Sequence, residues 1–205
     1  MLFDKFIEIL EAQPERVFLK SKKYSFTYEE FSYRIGGRVK SLAGIGVVKE
    51  QKVGIILDDS IDLIETLFSC WHINAIPILI PYSLTFKERN KLFKIVNPNL
   101  IITNWKIEKD LIDTDIATFP VEELSLGFGG CGVPNIDNKT DKDFIRLVLF
   151  TSGATGLPKA VKLTEKNLIE SAMGWHRELQ FTQNDIFLNF LPIYHIGGIS
   201  IFIRS

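Results

Sequence analysis

The sequence predicts an α/β fold: a doubly wound, mostly parallel sheet with flanking helices, followed by the start of a second α/β subdomain. Three observations carry this. Val53 to Leu57, Ile76 to Ile80 and Leu100 to Thr103 are nearly continuous apolar runs of strand length. Helical apolar stripes separate them, each preceded by capping residues. Strand, helix, strand, helix, strand, with the strands apolar throughout, is the pattern of a parallel sheet covered on both faces.

The elements follow in order. Phe3, Phe6, Ile7 and Leu10 recur at helical spacing, so a short helix opens the chain. Two short strands are expected at Val17 to Leu19 and Lys23 to Phe26. Thr27-Tyr28-Glu29-Glu30 has the spacing of a capping box, and the helix after it buries Phe31, Ile35, Val39 and Leu42. Gly36-Gly37 weakens its middle, by about 1 kcal/mol per glycine relative to alanine, and Gly44 and Gly46 stop it. Asp58-Asp59-Ser60 caps a helix carrying Ile61, Ile64, Leu67, Phe68 and Trp71. Thr85 to Glu88 repeats the capping box before a helix bearing Leu92, Phe93 and Val96, which Pro98 ends. Residues 104 to 143 are loop-rich, with one strand expected near Ile116 to Phe119. A subdomain boundary is placed near residue 140, giving units of 1–140 and 141–205. Ile145 to Phe150 and Ala160 to Leu163 then read as strands, and Thr164 caps a helix carrying Leu168, Ile169, Ala172 and Met173.

Composition sets outer limits. The 205 residues are 46% hydrophobic and 24% charged, ordinary for a globular chain with a sizeable core. A net charge of −1 argues against a nucleic-acid surface or a polybasic membrane contact. Cys70 and Cys131 form no disulfide framework and match no metal-ligand spacing; a reducing, cytoplasmic setting follows, and no residue is assigned to a metal. The N-terminus carries acids and lacks a signal peptide's basic start. Ile61 to Pro81, the most apolar segment, holds Asp62, Glu65 and His72 and is cut by Pro77, so no membrane span is expected.

The stretch most loaded with chemistry runs from Leu149 to Thr164, LFTSGATGLPKAVKLT. It joins strand to strand. In a Walker-type loop the glycines lead straight into a helix, with four residues between the last two glycines. Here two residues separate Gly153 from Gly156, and Leu157-Pro158 intervene before Lys159, so it is no Walker loop. The ingredients still suit a polyphosphate. Gly153 and Gly156 let the backbone approach an anion, Thr151, Ser152 and Thr155 add hydroxyl donors, and Lys159 adds a mobile positive charge. An isolated G-x-x-G is more often a polar hairpin that binds nothing, but this string is far longer.

Thr151-Ser152-Gly153-Ala154-Thr155-Gly156-Leu157-Pro158-Lys159 resembles the phosphate-loop signature of the adenylate-forming (AMP-binding) family, which includes acyl-CoA synthetases, peptide-synthetase adenylation domains and firefly-type luciferases. Ala154 stands where the family most often has a hydroxyl, and Ala160 where it often has glycine. A second string, Leu191-Pro192-Ile193-Tyr194-His195-Ile196-Gly197-Gly198, resembles the family's aromatic-histidine motif beside the acyl substrate. Among subfamilies, the stretch from Leu191 to Ser205 is most similar to 2-succinylbenzoate–CoA ligases of menaquinone biosynthesis. Arg204 has two readings: a partner for a substrate carboxylate, or, the favoured one, a solvated helix residue. His72 and His176 are assigned to structure or surface.

The resemblance implies a two-step reaction: a carboxylate attacks the α-phosphate of Mg-ATP, releasing pyrophosphate, and the thiol of coenzyme A then displaces AMP. It implies phosphate contacts from Thr151, Ser152, Gly153, Ala154, Thr155, Gly156 and Lys159, and an acyl pocket at Tyr194, His195 and Gly197. Lys159 and His195 carry the catalytic assignments, His195 by positioning the acyl group. The family's adenine, ribose and magnesium residues and its C-terminal catalytic lysine would lie past residue 205. The chain is thus expected to be an N-terminal portion, inactive alone, with the enzyme's remainder as a partner and a homodimer left open. Two alternatives stay open: an acyl-CoA synthetase for medium-chain, long-chain or aromatic acids, and a non-catalytic nucleotide-binding or interaction module.

Overall fold

The computed structural model describes residues 2–58, 60–109, 114–124, 141–151 and 158–205. In chain order these form α1 (Leu2–Ala12), β1 (Val17–Lys20), β2 (Ser25–Thr27), α2 (Tyr28–Gly44), β3 (Lys52–Ile55), α3 (Ser60–Ile73), β4 (Ile76–Leu79), α4 (Phe86–Val96), β5 (Leu100–Thr103), α5 (Trp105–Glu108), β6 (Ala117–Pro120), β7 (Ile145–Thr151), β8 (Lys159–Thr164), α6 (Glu165–Leu179) and α7 (Ile196–Arg204). Among the described residues, no helix is long and apolar enough to cross a membrane.

Six strands make one sheet in the order β6-β5-β3-β4-β7-β8. Every neighbouring pair is parallel except β7 and β8, which run antiparallel. Strands β1 and β2 form a separate antiparallel ribbon. The fold is the mostly parallel, helix-flanked sheet that the sequence predicts. The boundary expected near residue 140 falls outside the described residues; β7, beyond it, pairs with β4.

Alternation along the strands sorts the core into two faces. Val53, Ile55, Leu57, Leu79, Ile102 and Leu147 point into one cluster with Phe3, Phe31, Leu63 and Leu67 of α1, α2 and α3. Ile56, Ile78, Ile80, Ile101 and Val148 point into the other, with Leu92, Phe93 and Val96 of α4. Helices α3 and α4 therefore cover opposite faces. The chain leaving β3 turns to one side of the sheet and the chain leaving β4 to the other, and a crevice opens at such a switch point, outside the carboxyl ends of the strands.

Local chemistry explains the element boundaries. Thr27 and Thr85 each accept from the backbone N–H three residues on, while Glu30 and Glu88 reach back, completing both expected capping boxes. Thr164 caps α6, with Asn167 closing the box. Asn97 ends α4 in a left-handed conformation (φ 48°) before Pro98, and Gly46 takes φ +90° just past α2. Gly36 and Gly37 lie buried in α2, where Ser69 Oγ of α3 approaches the Ile35 carbonyl at 3.4 Å. The pair that weakens the helix also permits close helix packing.

Two buried ion clusters, neither of them predicted, lock the layers. Arg38 of α2 meets Glu65 of α3 at 3.1 Å and donates to the carbonyls of Val121 and Leu124. Desolvation raises the Glu65 pKa, against the opposing pull of Arg38 and Arg34. Arg146 of β7 pairs with Glu165 of α6 and donates to Trp71 O (3.0 Å) and Asn74 Oδ1 (2.8 Å), while Trp71 Nε1 donates back to Arg146 O at 2.7 Å.

Candidate functional site

Strands β7 and β8 are the arms of a hairpin whose loop is the glycine-rich string. Leu147 and Leu149 are buried on one face of the sheet and Val148 on the other, and β7 pairs with β4 on one side and β8 on the other. At the loop's mouth Thr151 and Lys159 stand directly opposite each other, both exposed. The strand-to-strand setting read from the sequence is present. Ser152, Gly153, Ala154, Thr155 and Gly156 lie outside the described residues.

The parallel order brings several chain segments to one edge. Ile78 of β4 is level with Val148 of β7, so counting along the strands sets Thr151 level with Pro81. Neighbouring strands lie about 4.8 Å apart, which puts the hairpin mouth alongside the turn leaving β4. That turn carries Tyr82. A cleft of ≈ 220 Å³ lies at this edge, lined among others by Asp58 after β3, Ser60, Tyr82, Asn189 and Tyr194. Asp58 is fixed there by Asn104 Nδ2, which donates to its Oδ1 at 2.6 Å, with Lys106 Nζ at 3.6 Å.

The aromatic-histidine string folds as a tight corner leading into α7. The Asn189 side chain holds it from both ends, accepting from Leu191 N (3.2 Å) and donating to Gly198 O (2.9 Å). The Pro192 carbonyl accepts from His195 N at 3.1 Å. Gly198 is required by crowding, since a Cβ there would sit 2.3 Å from Pro192 O. His195 is the N-cap residue of α7 and makes no side-chain capping bond; it is exposed. Its ring lies 4.6 Å from that of half-buried Tyr194, which meets Tyr82 edge-to-face at 5.6 Å.

The structure therefore sets Tyr194 in the cleft wall, with His195 against its ring but not itself among the lining residues, and Thr151 and Lys159 at the neighbouring strand end. Gly197 faces the Leu191 side chain, 3.1 Å from where its Cβ would be, and is not among the cleft's lining residues. Asp58 and Tyr82 escaped sequence reading: Asp58 reads as a helix cap and Tyr82 as a turn residue. Their one sequence signal is position, directly after the apolar runs that become β3 and β4. Arg204 departs from its favoured reading as a solvated residue; its guanidinium lies 4.4 Å over the Trp175 ring. His176 is exposed on α6, and His72 is buried in α3, as assigned. Burial pushes the Cys70 thiol up to about 12, which removes it as a nucleophile.

Comparison with known proteins gives this arrangement a context. The chain is 27% identical to a 2-succinylbenzoate–CoA ligase of Staphylococcus epidermidis over 97% of its own length and 40% of the relative's. It is 30% identical to that of a Geobacillus species, over 94% of this chain and 38% of the relative. The chain thus spans about 40% of the length of the curated relatives it matches. Among solved structures, O-succinylbenzoate coenzyme A synthetase (MenE) from Bacillus subtilis in complex with AMP superposes with a TM-score of 0.88 at 24% identity, covering 98% of this chain and 52% of that one. VinN superposes with a TM-score of 0.90 at 17% identity, covering all of this chain and 56% of that one. These two likenesses show a shared fold. The sequence matches the AMP-binding enzyme family over residues 6–204, nearly its whole extent, and the chain belongs to that family.

Proposed function

We propose that the chain is the N-terminal part of an ATP-dependent acid–thiol ligase that adenylates 2-succinylbenzoate and transfers it to coenzyme A. The observation that carries this reading is the β7–β8 hairpin, with Thr151 opposite Lys159 at its mouth, beside a cleft walled by Tyr194. The substrate assignment rests on the 2-succinylbenzoate–CoA ligases among its relatives.

In this reading the substrate carboxylate forms a bond to the α-phosphorus of ATP as the bond to the bridging oxygen breaks, and pyrophosphate leaves. Charge grows on the departing pyrophosphate, and donors already aimed at it lower the barrier without reorganising. Lys159, exposed on a flexible stem, follows that charge, and Thr151, Ser152 and Thr155 with the backbone of Gly153, Ala154 and Gly156 cradle the β- and γ-phosphates. Ala154 offers its backbone N–H alone. Mg²⁺ accompanies ATP; among the described residues no group of three or more His, Cys, Asp or Glu side chains is placed to hold it. Tyr194 walls the acyl pocket, His195 beside it orients the acyl group without acting as a base, and Gly197 shapes the corner from behind, against Leu191. The thiol of coenzyme A then attacks the acyl carbon and AMP departs, completing the transfer. Cys70, a buried free thiol, accords with a reducing, cytoplasmic setting.

The test is ATP–pyrophosphate exchange by a polypeptide that joins this chain to the portion its relatives possess beyond it. Exchange dependent on 2-succinylbenzoate is expected, and Lys159→Ala should lower kcat/KM for ATP about 10- to 100-fold, the loss of one charge-assisted contact. Exchange only with aliphatic acids would remove the substrate assignment. No exchange with any acid would remove the ligase. Residues 1–205 alone are expected to give none.

A further inference from the structure

We infer that Tyr82, on the turn between β4 and α4, is a positioning residue that sets the Tyr194–His195 wall against the end of the sheet. This rests on the proposed acyl role of that wall and adds a residue to it that no part of the motif contains.

Few contacts orient His195. Among the described residues its imidazole makes no hydrogen bond or ion pair, and its capping position is unused. Its ring contact is with Tyr194, at 4.6 Å and 55°. Tyr194 in turn meets Tyr82, at 5.6 Å and 89°, the edge-to-face geometry in which the positive rim of one ring meets the negative face of the other. Three rings thus run in series from Tyr82 to His195.

Tyr82 is the anchored end of that series. Its carbonyl accepts from Nη2 of buried Arg89 on α4 at 2.5 Å, and Leu84 N donates to Pro81 O at 3.3 Å, closing the turn. Tyr82 lies three residues past β4, whose neighbour β7 ends at Thr151. The same strand pair therefore supports the phosphate loop and, through Tyr82, the histidine corner. A ring at residue 82 keeps the two substrates in register, which is what an in-line attack demands. Tyr82 itself remains 39% exposed at the cleft, more than a core packing role requires.

The test pairs kinetics with a direct view of the ring series. In the exchange-competent polypeptide, Tyr82→Ala should raise KM for the acid about two- to tenfold, the range expected from losing one edge-to-face pair, and leave KM for ATP within about twofold. Tyr82→Phe, which keeps the ring, should restore the parent values. In ¹H–¹³C spectra of residues 1–205, the His195 ring signals should move in Tyr82→Ala and stay put in Tyr82→Phe. Absence of exchange in the parent would overturn the ligase reading and the acyl role with it. An active parent whose Tyr82→Ala variant keeps its KM for the acid, raises both KM values together, or is not rescued by Tyr82→Phe overturns the role of Tyr82 alone. Unmoved His195 signals overturn the ring series.

Discussion

His72 sits buried on α3, its ring 5.3 Å from that of Phe3, and burial draws its pKa down to about 4. An unfolded histidine titrates near 6.5, so between about 6.5 and 4 the unfolded chain binds the extra proton and the folded chain does not. Stability contributed by the neutral ring is present above pH 6.5 and falls as pH drops through that window, by at most about 3 kcal/mol. Urea unfolding followed from pH 7 to pH 4 should show this decline, and His72→Phe should flatten it; an unchanged slope would remove the effect. The sequence assigns His72 and His176 alike to structure or surface, since neither stands in a motif, and burial on α3 decides between the two for His72. Tyr82 and Asp58 gave no such mark. Their partners, Tyr194 for one and Asn104 with Lys106 for the other, come from distant parts of the chain, and only the strand order brings them together.

At the scale of elements, local rules and long-range rules separate cleanly. The capping boxes at Thr27 and Thr85 were readable because donor, acceptor and spacing all lie within one turn. Helix α5 was not, since four residues show no periodicity; its single cue is Asn104, whose side chain accepts from Ile107 N. The second strand begins later than expected because the Ser21 side chain captures Lys23 N and Tyr24 N in a turn. Charged residues inside elements mislead in the other direction. Arg146 and Glu165 carry full charges, yet both are buried, joining β7 to α6 and α3. Removing one partner leaves an uncompensated buried charge, so Glu165→Ala should cost about 3–5 kcal/mol in urea unfolding. The double change Arg146→Met with Glu165→Leu should recover most of that loss, and equal destabilisation by both variants would contradict it.

At the scale of the whole molecule, one segment of the described residues outside the helices and strands exposes three large apolar side chains in alternation. Ile186, Leu188 and Phe190 are 97%, 81% and 78% exposed, alternating along 186–190. Large apolar side chains exposed in alternation, with period 2, favour association with other strands. Residues 1–205 should therefore scatter light increasingly with concentration, and replacing these three side chains by lysine should suppress it. Indifference of the scattering to that change would place the association elsewhere.

The strand order also carries a temporal meaning. Strands β3 to β6, consecutive in the chain, form one contiguous block whose edge is β4, and the β7–β8 hairpin attaches at that edge alone. As the polypeptide leaves the ribosome, the block has every strand it needs well before the hairpin is synthesised. The later arrival is received by a ready template, and the reciprocal bonds between Trp71 and Arg146 act as its latch. The β7–β8 hairpin is thus built onto a floor already laid.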